Sequence, residues 1–196
     1  SMKKLMLSVF AATALVVLVL AIATITSLAF AYKSTMTLRA LHEELIEKVI
    51  LNALSGDQQG TSEAIQLAES SDLADATIRM LEGIASYYEG DNEAAINTLT
   101  GVLESEPKNS TARAMLALSC VHPGNAARSW REMSIIIAQD DLSEKKDYEL
   151  LVLGSAFLYF NRTLSIEMLQ KVRDRHPEWA VARAMLAGAK AHQALD

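Results

Sequence analysis

Cysteine is almost absent from this chain, because Cys120 is the only one among 196 residues. A single cysteine excludes an intrachain disulfide and any cysteine pair spaced for metal binding or redox chemistry. Within a helical segment, a lone cysteine is expected to be a small core residue rather than a reactive thiol.

Charge is absent from the whole segment Leu5–Tyr32, which follows a short flank of residues 1–4. About 20 apolar residues in a helix suffice to cross a bilayer, so the segment predicts a single transmembrane helix or signal-anchor. The alternative is a cleaved signal peptide, because Ala29–Ala31 fits the small-residue rule at a cleavage site. In that case the mature chain starts at Tyr32, although the apolar run is longer than the apolar core of a usual signal peptide.

The orientation in a membrane is set by few charges. Two basic residues lie on each side: Lys3 and Lys4 form a tight pair before the apolar segment, and Lys33 and Arg39 follow it, ahead of acidic Glu43 and Glu44. Basic residues favour the cytoplasmic side, so the lysine pair favours a cytoplasmic N-terminus. The remaining domain, residues 33–196, is then expected outside the cytoplasm.

A basic surface is also missing. All 24 acidic residues follow Tyr32, against 18 lysines and arginines in the whole chain. Nucleic-acid binding needs a concentrated basic patch that neutralises phosphates, so the sequence argues against such a partner.

Only three prolines occur, and no proline-rich, glycine-rich or low-complexity linker interrupts residues 33–196. A turn signature recurs instead every 34 residues, at Gly56-Asp57, Gly90-Asp91 and Gly124-Asn125. The apolar spacing between these turns is helical, and this period is typical of stacked helical hairpins. The sequence therefore predicts one continuous all-α repeat domain.

A literal repeat supports this period. The hexapeptide Ala112–Ala117 returns unchanged as Ala182–Ala187, and Pro107 and Pro177 precede the two copies at the same distance. Small residues that permit close helix crossing recur at related positions. These are Gly83, Ala117, Gly154 and Ala187.

The repeat predicts hairpins over roughly 38–70, 75–106, 110–140 and 147–176, with a final helix from about 178 to 195. A terminal helix caps such an array and needs a polar outer face. Lys190, His192 and Gln193 are expected to supply that polarity.

The unit from Met80 to Pro107 resembles a tetratricopeptide (TPR) motif. It combines the small Gly83, the Gly90-Asp91 turn, Ala95 with Leu99, and the closing proline. The resemblance implies a TPR-like α-α superhelix of antiparallel hairpins, which binds other proteins and is not catalytic.

A narrower resemblance covers nearly the whole chain. An apolar helix followed by the blocks ALSGD, MLEGIASYYEGDNEAAINTL, TARAMLALS and ARAMLAGAKAHQALD is similar to the membrane-tethered C-terminal TPR region of planctomycete-type bacterial serine/threonine kinases. It implies, as alternatives, an extracytoplasmic sensor or regulatory segment of a kinase whose catalytic domain is outside this chain. A secreted periplasmic TPR adaptor, left after signal cleavage, is the third possibility.

Sequence motifs of catalysis are missing. There is no glycine-rich phosphate loop and no His-Arg-Asp or Asp-Phe-Gly kinase motif. His42, His122, His176 and His192 lack a second ligand at metal spacing, and adjacent acids such as Asp140-Asp141 lie on different helix faces. We therefore expect no enzymatic activity, no cofactor, no metal and no small-molecule substrate.

The candidate binding site is an apolar and aromatic groove lined by the first helix of each hairpin. Such a groove suits an extended peptide or a helix of a protein partner, and tyrosines provide contact area at low entropic cost. The alternative is that part of the set packs between hairpins. The groove residues are Met80, Ile84, Tyr87, Tyr88, Leu118, His122, Tyr148, Leu151, Leu158 and Tyr159.

Overall fold

The structure is a computed structural model that describes residues 2–121, 124–139 and 145–193, with side chains from Leu20 to Ala191 within these ranges. His122 and Asp140-Asp141 lie outside the described residues. No β-strand occurs in the described ranges, so the predicted all-α class is confirmed. The helices are α1 (Met2–Ser55), α2 (Gln58–Glu69), α3 (Asp75–Glu89), α4 (Asn92–Ser105), α5 (Ser110–Val121), α6 (Ala126–Gln139), α7 (Asp147–Phe157), α8 (Arg162–Arg175) and α9 (Ala180–Gln193).

The chain divides into two compact units, residues 1–43 and residues 44–196. The first unit is part of α1 and exposes apolar side chains, among them Leu28 at 69% and Phe30 at 77% of full exposure. Its polar side chains bond within the helix, as when the Thr24 hydroxyl donates to the Ala21 carbonyl at 2.8 Å. Across the described residues, no helix is both long and apolar enough to cross a membrane. The transmembrane helix over Leu5–Tyr32 therefore has no support here and stays a prediction.

The second unit holds the hydrophobic core. Leu45, Val49 and Ile50, at the C-terminal end of α1, are buried with the inward faces of the later helices. The core continues through Leu81, Leu99, Met115, Met133, Leu150, Phe157, Leu169 and Leu186.

Three hairpin turns use glycine in the left-handed region. Gly56, Gly90 and Gly124 have φ values of 78°, 92° and 78°, which side chains with a Cβ rarely adopt. Gly56 and Gly90 directly follow the last residues of α1 and α3, and Gly124 lies shortly before the start of α6. The predicted 34-residue spacing of the turns is thus confirmed.

The residue after each turn caps the second helix. Asp57, Asp91 and Asn125 each accept a hydrogen bond from the amide three residues on, at 2.9, 2.9 and 3.3 Å. Asn161 does the same in the fourth hairpin at 3.1 Å, although Phe160 precedes it and no glycine is present. Sequence alone gives no Gly-Asp pair there. The structure shows that Asn161 keeps the helix-capping role of this turn, while a longer connection takes the place of the glycine.

Small residues occupy the closest helix crossings. A Cβ built on Gly83 would lie 2.7 Å from Leu99 Cγ, and one on Gly154 would lie 2.9 Å from Leu169 Cγ. Ala95 is fully buried on the facing helix α4. The predicted role is confirmed for Gly83 and Gly154, whereas Ala187, from the same predicted set, is exposed.

The two copies of the repeated hexapeptide share their local contacts. The Arg113 guanidinium donates to the Pro107 carbonyl, and the Arg183 guanidinium donates to the Pro177 carbonyl. Each arginine thereby fastens the start of its helix to the connection before it.

A second repeated contact joins the helices of a hairpin. The Ser129 hydroxyl donates to the Ala117 carbonyl at 2.6 Å, and the Ser165 hydroxyl donates to the Gly154 carbonyl at 2.6 Å. All four residues are buried, so each hydroxyl satisfies its hydrogen bond across the crossing.

The outer face of α9 differs from the expectation. Lys190 is exposed as predicted, whereas the side chains of His192 and Gln193 lie outside the described residues. Ala184 and Ala187 are also exposed, so the described outer face consists largely of small apolar residues. The polar cap predicted for the last helix is therefore only partly present in that region.

Candidate protein-interaction site

A cavity of about 640 Å³ lies in the second unit, and we call it the central cavity. Elements distant in the sequence surround it: the end of α1, the start of α3, the α4–α5 connection and the start of α7. Its lining residues are Ile46, Thr77, Met80, Glu106, Pro107, Lys108, Asn109, Ser110, Thr111, Lys145, Tyr148 and Glu149.

The α4–α5 connection forms one wall because two local signals fix it. Pro107 cannot continue α4, and Asn109 caps α5 by accepting a hydrogen bond from the Ala112 amide at 2.9 Å. The Asn109 amide group also donates to the Glu106 carboxylate at 2.9 Å. These two hydrogen bonds of Asn109 give the connection a defined conformation at the cavity.

The start of α7 forms the facing wall. The Lys145 ammonium donates to the Ser110 hydroxyl at 2.6 Å, which links the beginnings of α7 and α5. The Glu149 carboxylate accepts from the Lys146 amide at 2.9 Å and so caps α7. The cavity walls are therefore held by hydrogen bonds rather than by apolar packing alone.

The cavity combines an apolar base with a polar edge. Met80 and Tyr148 are largely buried, at 6% and 8% exposure, and contribute apolar surface. Lys108, Lys145 and Glu106 place charges of both signs around them. Among the described residues, no group of three or more histidine, cysteine, aspartate or glutamate side chains is arranged to hold a metal ion.

The predicted groove residues separate into distinct places. Met80 and Tyr148 come together in the central cavity. Ile84, Leu118 and Leu151 are no more than 2% exposed and belong to the core, so they do not line an open groove. Their helix faces are covered by neighbouring helices, which explains the difference from the expectation.

Tyr87 and Tyr88 lie away from the central cavity and contact each other edge to face, with ring centroids 5.0 Å apart. Burial raises the pKa of the Tyr87 phenol to about 12, and it also raises the pKa of the Tyr88 phenol. Tyr88 borders a crevice of only about 30 Å³ beside the Gly56 turn. This crevice is too small to hold a large side chain of a bound peptide.

Leu158 and Tyr159 line a separate pocket of about 380 Å³, which we call the α9 pocket. Tyr159 is 58% exposed and follows the end of α7. The remaining wall includes Arg162, Met185, Gly188 and Ala189. The tyrosines predicted to line one groove thus lie at separate openings, Tyr148 at the central cavity, Tyr88 at the small crevice and Tyr159 at the α9 pocket.

One charged cluster has no counterpart in the sequence analysis. The His176 imidazole contacts the carboxylate of Asp147 at 2.9 Å and that of Glu178 at 3.2 Å. It also stacks on Trp179, with ring centroids 4.0 Å apart. Burial lowers the pKa of His176, but the two carboxylates raise it by a larger amount. The net effect is therefore a raised pKa. Because Asp147 is remote in sequence, no local pattern could have indicated this cluster.

Cys120 is buried, as expected of a core cysteine, and burial raises the pKa of its thiol. No protein-family model matches the sequence, and no curated protein matches it.

Proposed function

We propose that residues 44–196 form a non-catalytic protein-binding module whose ligand site is the central cavity. The observation that carries the proposal is the cavity itself, with a volume of about 640 Å³. That volume lies within the range of about 300–1,000 Å³ usual for ligand sites. Parts of α1, α3, α5 and α7 line it, so its shape depends on how these four helices pack.

The lining favours a peptide segment as ligand. Met80 and Tyr148 offer an apolar base for one large side chain, and methionine adapts to irregular shapes. Lys108, Lys145 and Glu106 can bond to the backbone or polar side chains of an extended segment at the edge. This combination of an apolar anchor site and a polar border is usual where proteins bind peptides.

We infer that the repeats are of the TPR type. The supporting observations are the 34-residue spacing, the small residues at the crossings and the capped turns after Gly56, Gly90 and Gly124. TPR arrays generally act as binding scaffolds, which agrees with the proposed role.

We further propose that the apolar N-terminal segment anchors the module to a membrane, with the repeats on the extracytoplasmic side. Support comes from the lack of charge over Leu5–Tyr32 and from the exposure of Ile25 and Leu28, at 65% and 69%.

The test of the membrane anchor is alkaline carbonate extraction of cells that express the chain. The chain should stay in the membrane pellet, and the double variant Ile25→Lys/Leu28→Lys should leave it. The matched control Leu67→Lys, at an exposed position of α2, should stay. Extraction of the unchanged chain would refute the anchor.

The test of the central cavity is selection of binding peptides from a displayed random library against the full chain. Thr77→Trp places a large ring into the cavity from a half-buried position, whereas Thr163→Trp makes the same change on the exposed side of α8. Selected peptides should bind the unchanged chain and Thr163→Trp equally. They should bind Thr77→Trp more than about tenfold less tightly, a loss of about 1.4 kcal/mol. Equal binding to both variants would refute the cavity as the site.

A further inference from the structure

The same hexapeptide has different surroundings in α5 and α9. In α5, Ala114 and Ala117 are fully buried, with 0% exposure. In α9, the equivalent Ala184 and Ala187 are exposed, although the local sequence is identical. The difference therefore comes from what covers the helix.

Helices α6 and α7 both pack on α5, and α6 makes two polar contacts with the hexapeptide. The Ser129 hydroxyl donates to the Ala117 carbonyl at 2.6 Å, and the Glu132 carboxylate pairs with the Arg113 guanidinium. Met133 follows directly and is fully buried. The helix that makes these contacts, α6, carries the pattern Ser-x-x-Glu-Met.

Helix α9 retains the groups that this pattern recognises. The guanidinium of Arg183 is held on the Pro177 carbonyl, as Arg113 is held on Pro107. Arg183 is exposed, and so is Ala187, whose carbonyl corresponds to the acceptor of the serine hydroxyl.

The space beside this face is open. A Cβ built on Gly188 would meet nothing within 4 Å. The α9 pocket of about 380 Å³ adjoins it, with Leu158 and Met185 among its lining residues. Lys190 is exposed at the far end, where α5 has buried Cys120. An incoming helix would therefore find apolar space along its centre and a positive charge near each end.

We propose that the outer face of α9 binds one amphipathic helix of a partner protein with the pattern Ser-x-x-Glu-Met or Ser-x-x-Glu-Leu. The serine donates to the Ala187 carbonyl, the glutamate pairs with Arg183, and the methionine or leucine covers the small residues. The residues of this face are Ala184, Ala187, Gly188 and Ala191, with Arg183 and Lys190 beside them. The surface is separate from the central cavity and does not depend on it.

The test uses the α6 sequence as the probe. A fluorescein-labelled peptide of residues 124–139 is titrated with the full chain, and binding is followed by fluorescence anisotropy. We expect saturable binding that Ala187→Leu weakens about tenfold or more, because the added side chain fills the place of the peptide methionine. The control Ala127→Leu, at an exposed position of α6, should bind the peptide normally.

A double-mutant cycle tests the ion pair. Glu132→Gln in the peptide should weaken binding to the unchanged chain, and it should have little further effect on the Arg183→Gln chain. Independent losses from the two changes would overturn the assigned pairing.

Three results would overturn the docking proposal itself. They are absence of saturable binding, equal binding to Ala187→Leu, and a homodimer in sedimentation that Ala187→Leu dissociates, which would assign the face to a second copy. Thr77→Trp separates this test from that of the central cavity, because it should leave binding of the α6 peptide unchanged.

Discussion

The side chain of Leu99 packs directly onto the backbone of Gly83, so that a Cβ on the glycine would lie 2.7 Å from Leu99 Cγ. Gly83→Ala should therefore destabilise the repeat domain by about 1–3 kcal/mol, the usual cost of overpacking a core. Gly101→Ala is the control, because its Cβ would meet only the Arg79 side chain at 3.9 Å. That change should stabilise α4 by about 0.5–1 kcal/mol. Urea unfolding of the two variants gives both values, and equal effects would contradict the close crossing.

The turn at Gly90 predicts a cost of a different kind. Gly90 has a φ of 92°, and an added Cβ would meet no atom within 4 Å. Gly90→Ala should thus lose about 1–2 kcal/mol from backbone strain alone. Thermal unfolding measures this loss. A neutral Gly90→Ala would show that the turn does not need the left-handed conformation.

The buried ion pair between Arg113 and Glu132 predicts an asymmetric result. Arg113→Leu should destabilise the domain by about 3–5 kcal/mol, because it leaves a carboxylate of 8% exposure without its main partner. Arg131 also contacts Glu132, at 3.4 Å, but its side chain is 66% exposed. Arg131→Ala should therefore cost less than about 1 kcal/mol. Urea unfolding measures both losses. Similar losses of stability in Arg113→Leu and Arg131→Ala would show that Arg113 is not the principal partner of Glu132.

Much of the fold was predictable because its signals are local. Glycine at a left-handed turn and aspartate or asparagine at a helix start have effects confined to a few residues, so Gly90 and Asp91 could be read directly. The same holds for small residues at crossings, such as Gly83.

The site was less predictable, because exposure on a helix depends on which neighbour covers each face. Helical spacing predicts that Ile84 and Met80 both line the groove, yet Ile84 is in the core and Met80 lines the cavity. The two residues are one helical turn apart, and sequence spacing cannot distinguish a face that meets another hairpin from one that stays open. Ala117 and Ala187 show the same limit. They lie in identical hexapeptides, yet Ala117 is buried and Ala187 is exposed.

The cluster around His176 predicts stability that falls as pH rises. Burial lowers the pKa of His176, but contacts with Asp147 and Glu178 raise it above the usual 6.5. A raised folded-state pKa favours the protonated form, so this contribution is complete below about pH 6.5 and is lost as pH rises through the folded-state pKa. The pKa of Glu47 is also raised, chiefly by burial. Its contribution to stability therefore also falls as pH rises above about 4.5.

The measurement is the urea midpoint between about pH 6 and pH 9, in the unchanged chain and in His176→Asn. The other groups at the cluster are Arg175, which pairs with Asp147 at 2.7 Å, and Glu178. Glu178 has a lowered pKa, owing first to a backbone hydrogen bond and then to His176, so its contribution is lost only as pH falls below about 4.5. The decline through the neutral range should be smaller in His176→Asn. An equal decline in both proteins would remove His176 as its cause.

Site-specific photo-crosslinking in the source cells tests most directly whether the central cavity binds a protein. A benzophenone amino acid at Lys108, an exposed residue at the cavity edge, should give a discrete adduct with another protein after irradiation. The same amino acid at Glu167, an exposed position of α8 outside the cavity lining, should not give that adduct. The adduct from Lys108 should disappear when Thr77→Trp fills the cavity. An adduct that forms equally from both positions, or that persists in Thr77→Trp, would contradict the proposed function.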